Sequence, residues 1–600
     1  MPRLPFMQHN ALSEIIRGLL LCLASSAGPL FAQDGLRITY GQQGIQTLAY
    51  RGQVLEDVGR YPEDAFHIWH MKSTDLAGRP LSDGEHGWGE ATKRRTWNAA
   101  THTSTYEFGW GTIVTEFNQQ GDTLNVTVTE VNHTGSGIRF AGATLYPFAL
   151  HFPRLPAGFA DARSHQFAFN TTGPSVTVAD FGDGEVAAVV PEVTKPLYSG
   201  FQPLATPNAY TALVSSTAPD SLAVFEPHRD RSIEPGQTDR FTVSFRFAPS
   251  GTPRATIGAD AYAAWAAHWP ARLHWSDRRI VGTAYLASSA PGDRSRPAGY
   301  ANNPRRYFNT GDSHDFDIRS ADGIVKFQRR VLQQAADIVT NLRRLHAQGV
   351  ITWDVEGEEY PMNTSYVCAP DQIATIAPEM EAVVQDPQSK FQGMRLDDAY
   401  FRTIRDAGFR VGVCVRPQNF VRSAAGSAEQ VSLSSRADIA ALLIRKMRFA
   451  HDRWGATLFY LDSTVDPRGA VLDASIVQQA AAAMPDSLLI PEESTPAFYA
   501  DTAPFQSFLF HGDLGTPADI YAMYPSAFSA NLVNDVGAAQ LEAHRAELTE
   551  AIRRGDILMV HADSWHPNND VVLRMVADAA DSGKRHRAGA APHSTGAPAK

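Results

Sequence analysis

From residue 35 to 248 apolar and polar positions alternate with a period of two. Runs such as Thr105-Tyr106-Glu107-Phe108-Gly109-Trp110 and Thr123-Leu124-Asn125-Val126-Thr127-Val128-Thr129 turn one face of each strand toward a core and the other toward water. Gly, Asn, Asp and Pro interrupt these runs at short intervals, where turns need them, and no long helical period intervenes. The pattern predicts a large antiparallel β-sandwich. Pro249-Ser250-Gly251-Thr252-Pro253 then reads as a linker, followed by a short helix over 260–268.

After residue 279 the rhythm becomes a short apolar strand followed by an amphipathic helix, repeated. Candidate strands lie at 281–288, 349–355, 410–416, 457–462, 487–491, 506–511, 529–534 and 557–561. Helical patterns run over 324–347, 397–407, 436–454, 474–483, 517–524, 540–554 and 569–580. In the first of these, Val331, Ala335, Ile338, Val339 and Leu342 form the core stripe. Strands and helices alternating in this number predict a (β/α)8 TIM barrel. Its fourth, fifth and eighth strands are short and apolar, as strands buried on both faces should be. The first two strand-to-helix loops, roughly 289–322 and 356–396, are long and fall on the rim where such barrels keep their chemistry. The fold class is therefore an N-terminal all-β sandwich of the supersandwich kind followed by a TIM barrel. The expected division is 1–32 a signal peptide, 33–248 the sandwich, 249–278 a linker and connecting helix, 279–580 the barrel and 581–600 a disordered tail rich in Ala, Gly, Pro and Ser.

Composition adds exclusions. A chain of 600 residues with 43% hydrophobic and 20% charged positions is globular and too long for one core. Its net charge of −11 supplies no basic field, and no Lys/Arg cluster interleaves with aromatics, which argues against nucleic acid as a partner. Arg17, the apolar run Gly18-Leu19-Leu20-Leu21-Cys22-Leu23-Ala24 and the small residues leading to Phe31-Ala32-Gln33 read as a secretory signal cleaved near Ala32. A secreted or periplasmic protein is expected, and no stretch approaches a permanent membrane span. Cleavage would leave Cys368 and Cys414, either as a disulfide or as two buried thiols, since Cys414 lies inside an apolar strand pattern. No CxxC or HExxH zinc spacing occurs. No cofactor is expected, although the acidic run Asp354, Glu356, Glu358 and Glu359 could bind calcium instead of standing solvated. Asn-X-Ser/Thr sequons stand at Asn125, Asn132, Asn170 and Asn363.

The candidate chemistry lies at the C-terminal ends of the barrel strands. The second ends in Trp353-Asp354-Val355-Glu356, the third in Arg416-Pro417-Gln418-Asn419, the fourth in Asp462 and the fifth in Glu492-Glu493. The sixth ends in His511-Gly512-Asp513, the seventh in Asn534-Asp535 and the eighth in His561-Ala562-Asp563-Ser564-Trp565-His566. Any one of these could cap the helix that follows, but their convergence on consecutive strands favours a site. Two facing carboxylates are the minimum equipment for cleaving a glycosidic bond. Arg416, as a buried rim cation, needs a carboxylate partner, either Asp462 or the substrate.

The string Phe459-Tyr460-Leu461-Asp462 resembles the nucleophile strand of retaining α-glycosidases of the α-galactosidase, α-glucosidase and α-amylase groups, in which an Asp ends barrel strand four. The preceding sandwich is similar to the N-terminal domain of several of those families, and residues 398–412 resemble their helix into strand three. The resemblance implies Asp462 as nucleophile and Glu492 as acid/base, with Glu493 the alternative. Strand six departs by offering His511 and Asp513 where α-galactosidase-like enzymes place the acid/base. The chemistry asks for one ionised carboxylate and one of raised pKa. Asp535 or Asp563 could stabilise the oxocarbenium-like charge, and Trp353 and Trp565 could stack on a sugar. Asp354, Glu356, Gln418, Asn419, Asn534 and His561 complete the substrate-binding candidates. The expected protein is a secreted glycoside hydrolase acting on α-linked oligo- or polysaccharide. The rivals are a non-catalytic carbohydrate-binding barrel and an inverting hydrolase or lyase on the same rim.

Overall fold

The computed structural model describes residues 35–42, 44–62, 67–70, 73–77, 79, 94–140, 143–151, 166–204, 209–215, 231–287, 303, 305, 307–308, 317–357, 366–422, 428–467, 469–508 and 514–589. The expected signal peptide, the sequon at Asn363, and Glu358 and Glu359 lie outside these residues. Two compact units emerge, one built on the N-terminal β region and one running from Tyr262 to the C-terminus.

The N-terminal unit is an antiparallel sandwich. Its larger sheet has seven strands, in the spatial order Ser175–Asp180, Gly184–Val190, Thr238–Pro249, Thr123–Asn132, Gly111–Gln120, Thr103–Glu107 and Arg94–Asn98. A six-stranded sheet holds Gln166–Phe169, Tyr198–Pro203, Ala209–Ser215, Ala143–Tyr146 and His67–His70 in order, with Ala149–His151 pairing Ala209–Ser215. Burial alternates residue by residue along Thr123–Asn132, so the period-two pattern is realised as one wet and one dry face. Leu124, Val126, Val128 and Phe245 of the larger sheet join Leu145, Phe201 and Ala212 of the smaller in one core. Phe245 meets Phe148 edge-on at 4.9 Å and Phe201 at 6.4 Å. Each such buried ring contributes about 2–3 kcal/mol of transfer free energy. Three sequon asparagines are engaged inside this unit. Asn132 donates to the carbonyls of Ser136 and Ile233, Asn170 donates to Glu192 O and accepts from Leu197 N, and Asn125 accepts from Ser244 Oγ.

The second unit carries an eight-stranded parallel sheet. Its strands are β1 (Val281–Ala284), β2 (Gly349–Thr352), β3 (Arg410–Val415), β4 (Ala456–Leu461), β5 (Leu488–Pro491), β6 (Phe505–Ser507), β7 (Ala530–Leu532) and β8 (Ile557–His561). The hydrogen-bonded order β5-β4-β3-β2-β1-β8-β7-β6 curls into a nearly closed barrel. Across the β5/β6 seam, Ala503 N donates to Leu489 O at 3.0 Å. Packed on the strands are α1 (Ala321–Arg344), α2 (Leu396–Asp406), α3 (Arg436–Trp454), α4 (Ala474–Ala483), α5 (Ala518–Met523), α6 (Ala538–Ala543), α7 (Arg545–Arg554) and α8 (Pro567–Gly589). Alternation along β4 separates two cores. Leu458 and Tyr460 point into the barrel with Ile351, Trp353 and Ile490, while Phe459 and Leu461 point out to the helices. Strands approach closely where side chains vanish: a Cβ on Gly412 would stand 2.3 Å from Leu458 O.

The departures from the sequence pattern have local causes. β1 stops at Ala284 instead of Ser288 because the Asp354 carboxylate takes the N–H groups of Leu286 and Ala287, each at 2.6 Å. The loop 356–396 is not structureless. It holds short helical turns at Pro370–Gln372, Ile373–Ile376 and Pro378–Glu381, tied down by Gln328 to Val383 O and by Arg329 to Asp386. The helix expected over 540–554 breaks at His544, whose N–H reaches back to Gln540 and Leu541 while its ring meets Glu547. α8 runs to Gly589, so 581–589 is helical where the sequence reads as the start of a disordered tail. Cys368 and Cys414 are free and buried, with sulfurs in contact at 2.7 Å. No helix among the described residues is long and apolar enough to cross a membrane.

Candidate active site

Strand alternation continues past the end of β4 and puts Asp462 on the same inward side as Tyr460. The ladder carries it there: Asp462 N donates to Val415 O, and Glu492 N, just past β5, donates to Leu461 O, both at 3.0 Å. Asp462 is 6% exposed. The Arg416 guanidinium, from the end of β3, lies 3.0 Å from each of its carboxylate oxygens, which makes the ion pair anticipated for that cation. Ser463 Oγ donates to Asp462 Oδ1 at 2.7 Å, and the Cys414 thiol lies 3.8 Å from Oδ2.

Glu492 stands beside it in a different state. Burial pushes its carboxyl up to about 7, and the charges of Asp462 and Glu493 push the same way, against hydrogen bonds from Ser463 N and the Tyr460 hydroxyl. Ser463 links the two carboxyls, giving its hydroxyl to Asp462 and its N–H to Glu492 Oε2 at 2.7 Å. To do both it adopts φ +53°, a left-handed conformation that costs a serine about 1 kcal/mol or more. Glu493 faces elsewhere. Its carboxylate accepts from Thr464 N at 2.7 Å and Thr464 Oγ1 at 3.0 Å, which fits a brace for the β4 loop.

Aromatic rings cluster inside the barrel beside Tyr460. Trp353 lies inside the barrel, 4.7 Å from the Tyr460 ring and 5.5 Å from Tyr285, and Tyr285 in turn meets Tyr366 and His561. From β8, His561 and Asp563 stand 3.9 Å apart. Burial, with His566, brings the imidazole down to about 4, and burial raises Asp563 to about 6. On β7's side, Asp535 accepts from Ser507 Oγ, and the Asn534 amide is buried beside it. Gln418 donates to Ser463 O at 3.0 Å. Asn419 opens a hairpin in which Asn419–Arg422 pairs with Ala428–Val431.

Other candidates have partners of their own. The Arg344 guanidinium covers the Trp565 ring at 3.3 Å, and the indole N–H is 3.3 Å from Asp570. Asp354 is fully buried as the clasp on Leu286 and Ala287. Glu356 is also buried, its carboxyl pushed up to about 8 by desolvation, so Asp354 and Glu356 are not the solvated loop that was one expectation. His511 and Asp513 lie outside the described residues. Among the described residues, Cys368, Cys414 and Asp462 bring ligand atoms within 4.8 Å of one another, but Arg416 already neutralises the carboxylate of that group. Residues that the strand ends did not reveal are Ser463, Tyr285, Tyr366 and Lys446. Tyr460 had a signal in the sequence, since position i−2 from Asp462 must share its face.

The fold and this rim together define a (β/α)8 barrel bearing an arginine-paired Asp at the end of β4 and a neighbouring carboxyl of raised pKa at the end of β5. No family model matches the sequence, and no curated protein matches it. Among solved structures, similarity extends to a variant of the GH36 α-galactosidase AgaA from Geobacillus stearothermophilus bound to 1-deoxygalactonojirimycin, at 11% identity and TM-score 0.39, covering 92% of this chain and 86% of that one. The α-N-acetylgalactosaminidase NagBb from Bifidobacterium bifidum is 11% identical at TM-score 0.39, covering 82% of each chain. The α-galactosidase from Lactobacillus brevis is 9% identical at TM-score 0.38, covering 92% and 74%. At such identities and scores nothing about activity transfers.

Proposed function

We propose that the protein is a retaining α-glycoside hydrolase, with Asp462 as nucleophile and Glu492 as acid/base. The observation that carries this reading is the division of labour between two carboxyls joined by Ser463. One is an ion-paired carboxylate, and the other is raised to about 7. Such a pair can attack and protonate at the same pH. Asp462 would attack the anomeric carbon while the Glu492 carboxyl gives its proton to the departing glycosidic oxygen, leaving a glycosyl ester and a Glu492 carboxylate. That carboxylate then takes a proton from water as the water oxygen attacks the same carbon, freeing Asp462. Tyr285, Trp353 and Tyr460 would supply the apolar wall for a sugar ring. The α specificity rests on the resemblance of the β4 strand to α-glycosidases. We further infer export after cleavage near Ala32, which N-terminal sequencing of the mature protein would test.

The deciding experiment is turnover of a panel of aryl α- and β-glycosides, with the anomer of the first product read by proton NMR. Hydrolysis of α-glycosides with retention is expected, and Asp462→Asn should lower kcat/KM by roughly 10^3-fold or more. Binding of oligosaccharide without any turnover would favour the carbohydrate-binding barrel instead. An inverted first product would reassign Asp462.

A further inference from the structure

We propose that Lys446 is a positioning residue for the chemistry at Asp462, acting through Arg416 and Gln418; this rests on the hydrolase reading of the site. Lys446 belongs to α3, among Leu443, Met447 and Ala450 of the helix-facing core, and no part of it reaches solvent. Its ammonium has three N–H donors, and all three are used. They go to Cys368 O at 3.1 Å, Arg416 O at 2.9 Å and Gln418 O at 2.8 Å. Two of those carbonyls belong to the residues whose side chains fasten the site. Arg416 holds Asp462, and Gln418 holds Ser463 O. The third belongs to Cys368, whose thiol touches Cys414 beside Asp462. One cation therefore pins the peptide on both sides of Pro417 and joins it to the segment after β2.

Packing alone does not call for a charge here. Moving an ammonium out of water costs several kcal/mol before its hydrogen bonds return the energy, and Leu or Met would fill the same space without that cost. Aspartate 371 and Glu356 act on this ammonium electrostatically, as do the thiols of Cys368 and Cys414. The groups acting on Asp462 include Arg416, Cys414, Cys368, Tyr460, Ser463 and Glu492. Removing Lys446 withdraws one positive charge from this neighbourhood and frees the Arg416 backbone.

The test compares Lys446→Met and Lys446→Arg with the wild type. For Lys446→Met we expect kcat to fall roughly 30-fold with KM within about threefold, and the acid limb of the kcat/KM profile to move to higher pH. Lys446→Arg should restore the limb. The crystal structure of Lys446→Met should show Arg416 withdrawn beyond hydrogen-bond reach of Asp462. That last readout needs no turnover, so it stands even if the wild type cleaves no glycoside and the hydrolase reading fails. A folded Lys446→Met enzyme with Arg416 still at 3.0 Å and an unmoved profile overturns the proposal. If the methionine variant does not fold, Lys446→Gln, uncharged but with two donors, takes its place. Failure of both to fold would mark Lys446 as structural and sink the proposal as well.

Discussion

Glu492 and Glu493 are adjacent in sequence and face different tasks. Desolvation raises Glu492 to about 7 from an ordinary 4.5. Its folded form therefore holds a proton that the unfolded chain releases, and the fold loses stability as pH climbs through that window. Glu492→Gln should accordingly match the wild type in stability at pH 4 and exceed it at pH 8, by up to about 3 kcal/mol, as read by urea denaturation at the two pH values. No gain at pH 8 would mean that the Glu492 carboxyl is not raised in the fold. As general acid, Glu492 should also give kcat/KM a basic limb near pH 7 that disappears in the Gln variant. Glu493→Ala should instead leave Thr464 N without its acceptor and cost about 1–3 kcal/mol, while kcat/KM changes less than tenfold; a loss as deep as that of Asp462→Asn would exchange the two roles. The sequence brought Asp462, Arg416 and Glu492 into view because strand ends and charge are written in it. It could not separate Glu492 from Glu493, because that choice depends on which one Ser463 N and which one Thr464 meets. Trp565 likewise lies just past a strand end, and the arginine from α1 that covers its ring is a contact the sequence does not write.

At the scale of elements, helix α3 repays attention because it is fastened at both ends. Ser435 caps its start by accepting from Asp438 N, and Gly455 ends it at φ +70°. Near that end Arg453 gathers Glu381, Asp397 and Asp398. Asp397 is fully buried, and burial raises it to about 7 despite Arg453. Arg453→Leu should therefore destabilise the protein by about 3 kcal/mol at pH 8, and by less at pH 5, where Asp397 can stay protonated. An equal loss at both pH values would assign the effect to packing. Elements of this kind were legible from the chain: α3 and α4 run over the residues that periodicity marks, since an amphipathic stripe has few other ways to be buried. The lengths of β1, β6 and β7 were not. Where β1 ends is decided by Asp354, a residue about 70 positions away in sequence, through bonds to Leu286 and Ala287.

For the whole molecule, the buried carboxyls of the barrel act together. Glu356, Asp397, Glu492 and Asp563 are raised to about 8, 7, 7 and 6, so each withdraws stability as pH rises from its unfolded value. His561, lowered to about 4, acts oppositely and only below its ordinary 6.5. Between pH 6.5 and 8 Glu356, Asp397 and Glu492 are therefore unopposed by it, and the melting temperature should fall across that interval in a thermal-shift series at constant ionic strength. A flat or rising series would show that these carboxyls are not raised in the fold.

The engaged asparagines of the sandwich carry a consequence for biogenesis. In a eukaryotic secretory pathway, oligosaccharide is attached as the chain emerges, before Asn132 and Asn170 have found the carbonyls they hold in the finished core. Both asparagines are buried in the folded unit, which leaves no exit for a glycan. Yeast secretion should thus yield aggregated, glycan-bearing protein where bacterial production yields folded protein. Thr172→Ala, which erases one acceptor signal while keeping Asn170, should recover part of the yeast product.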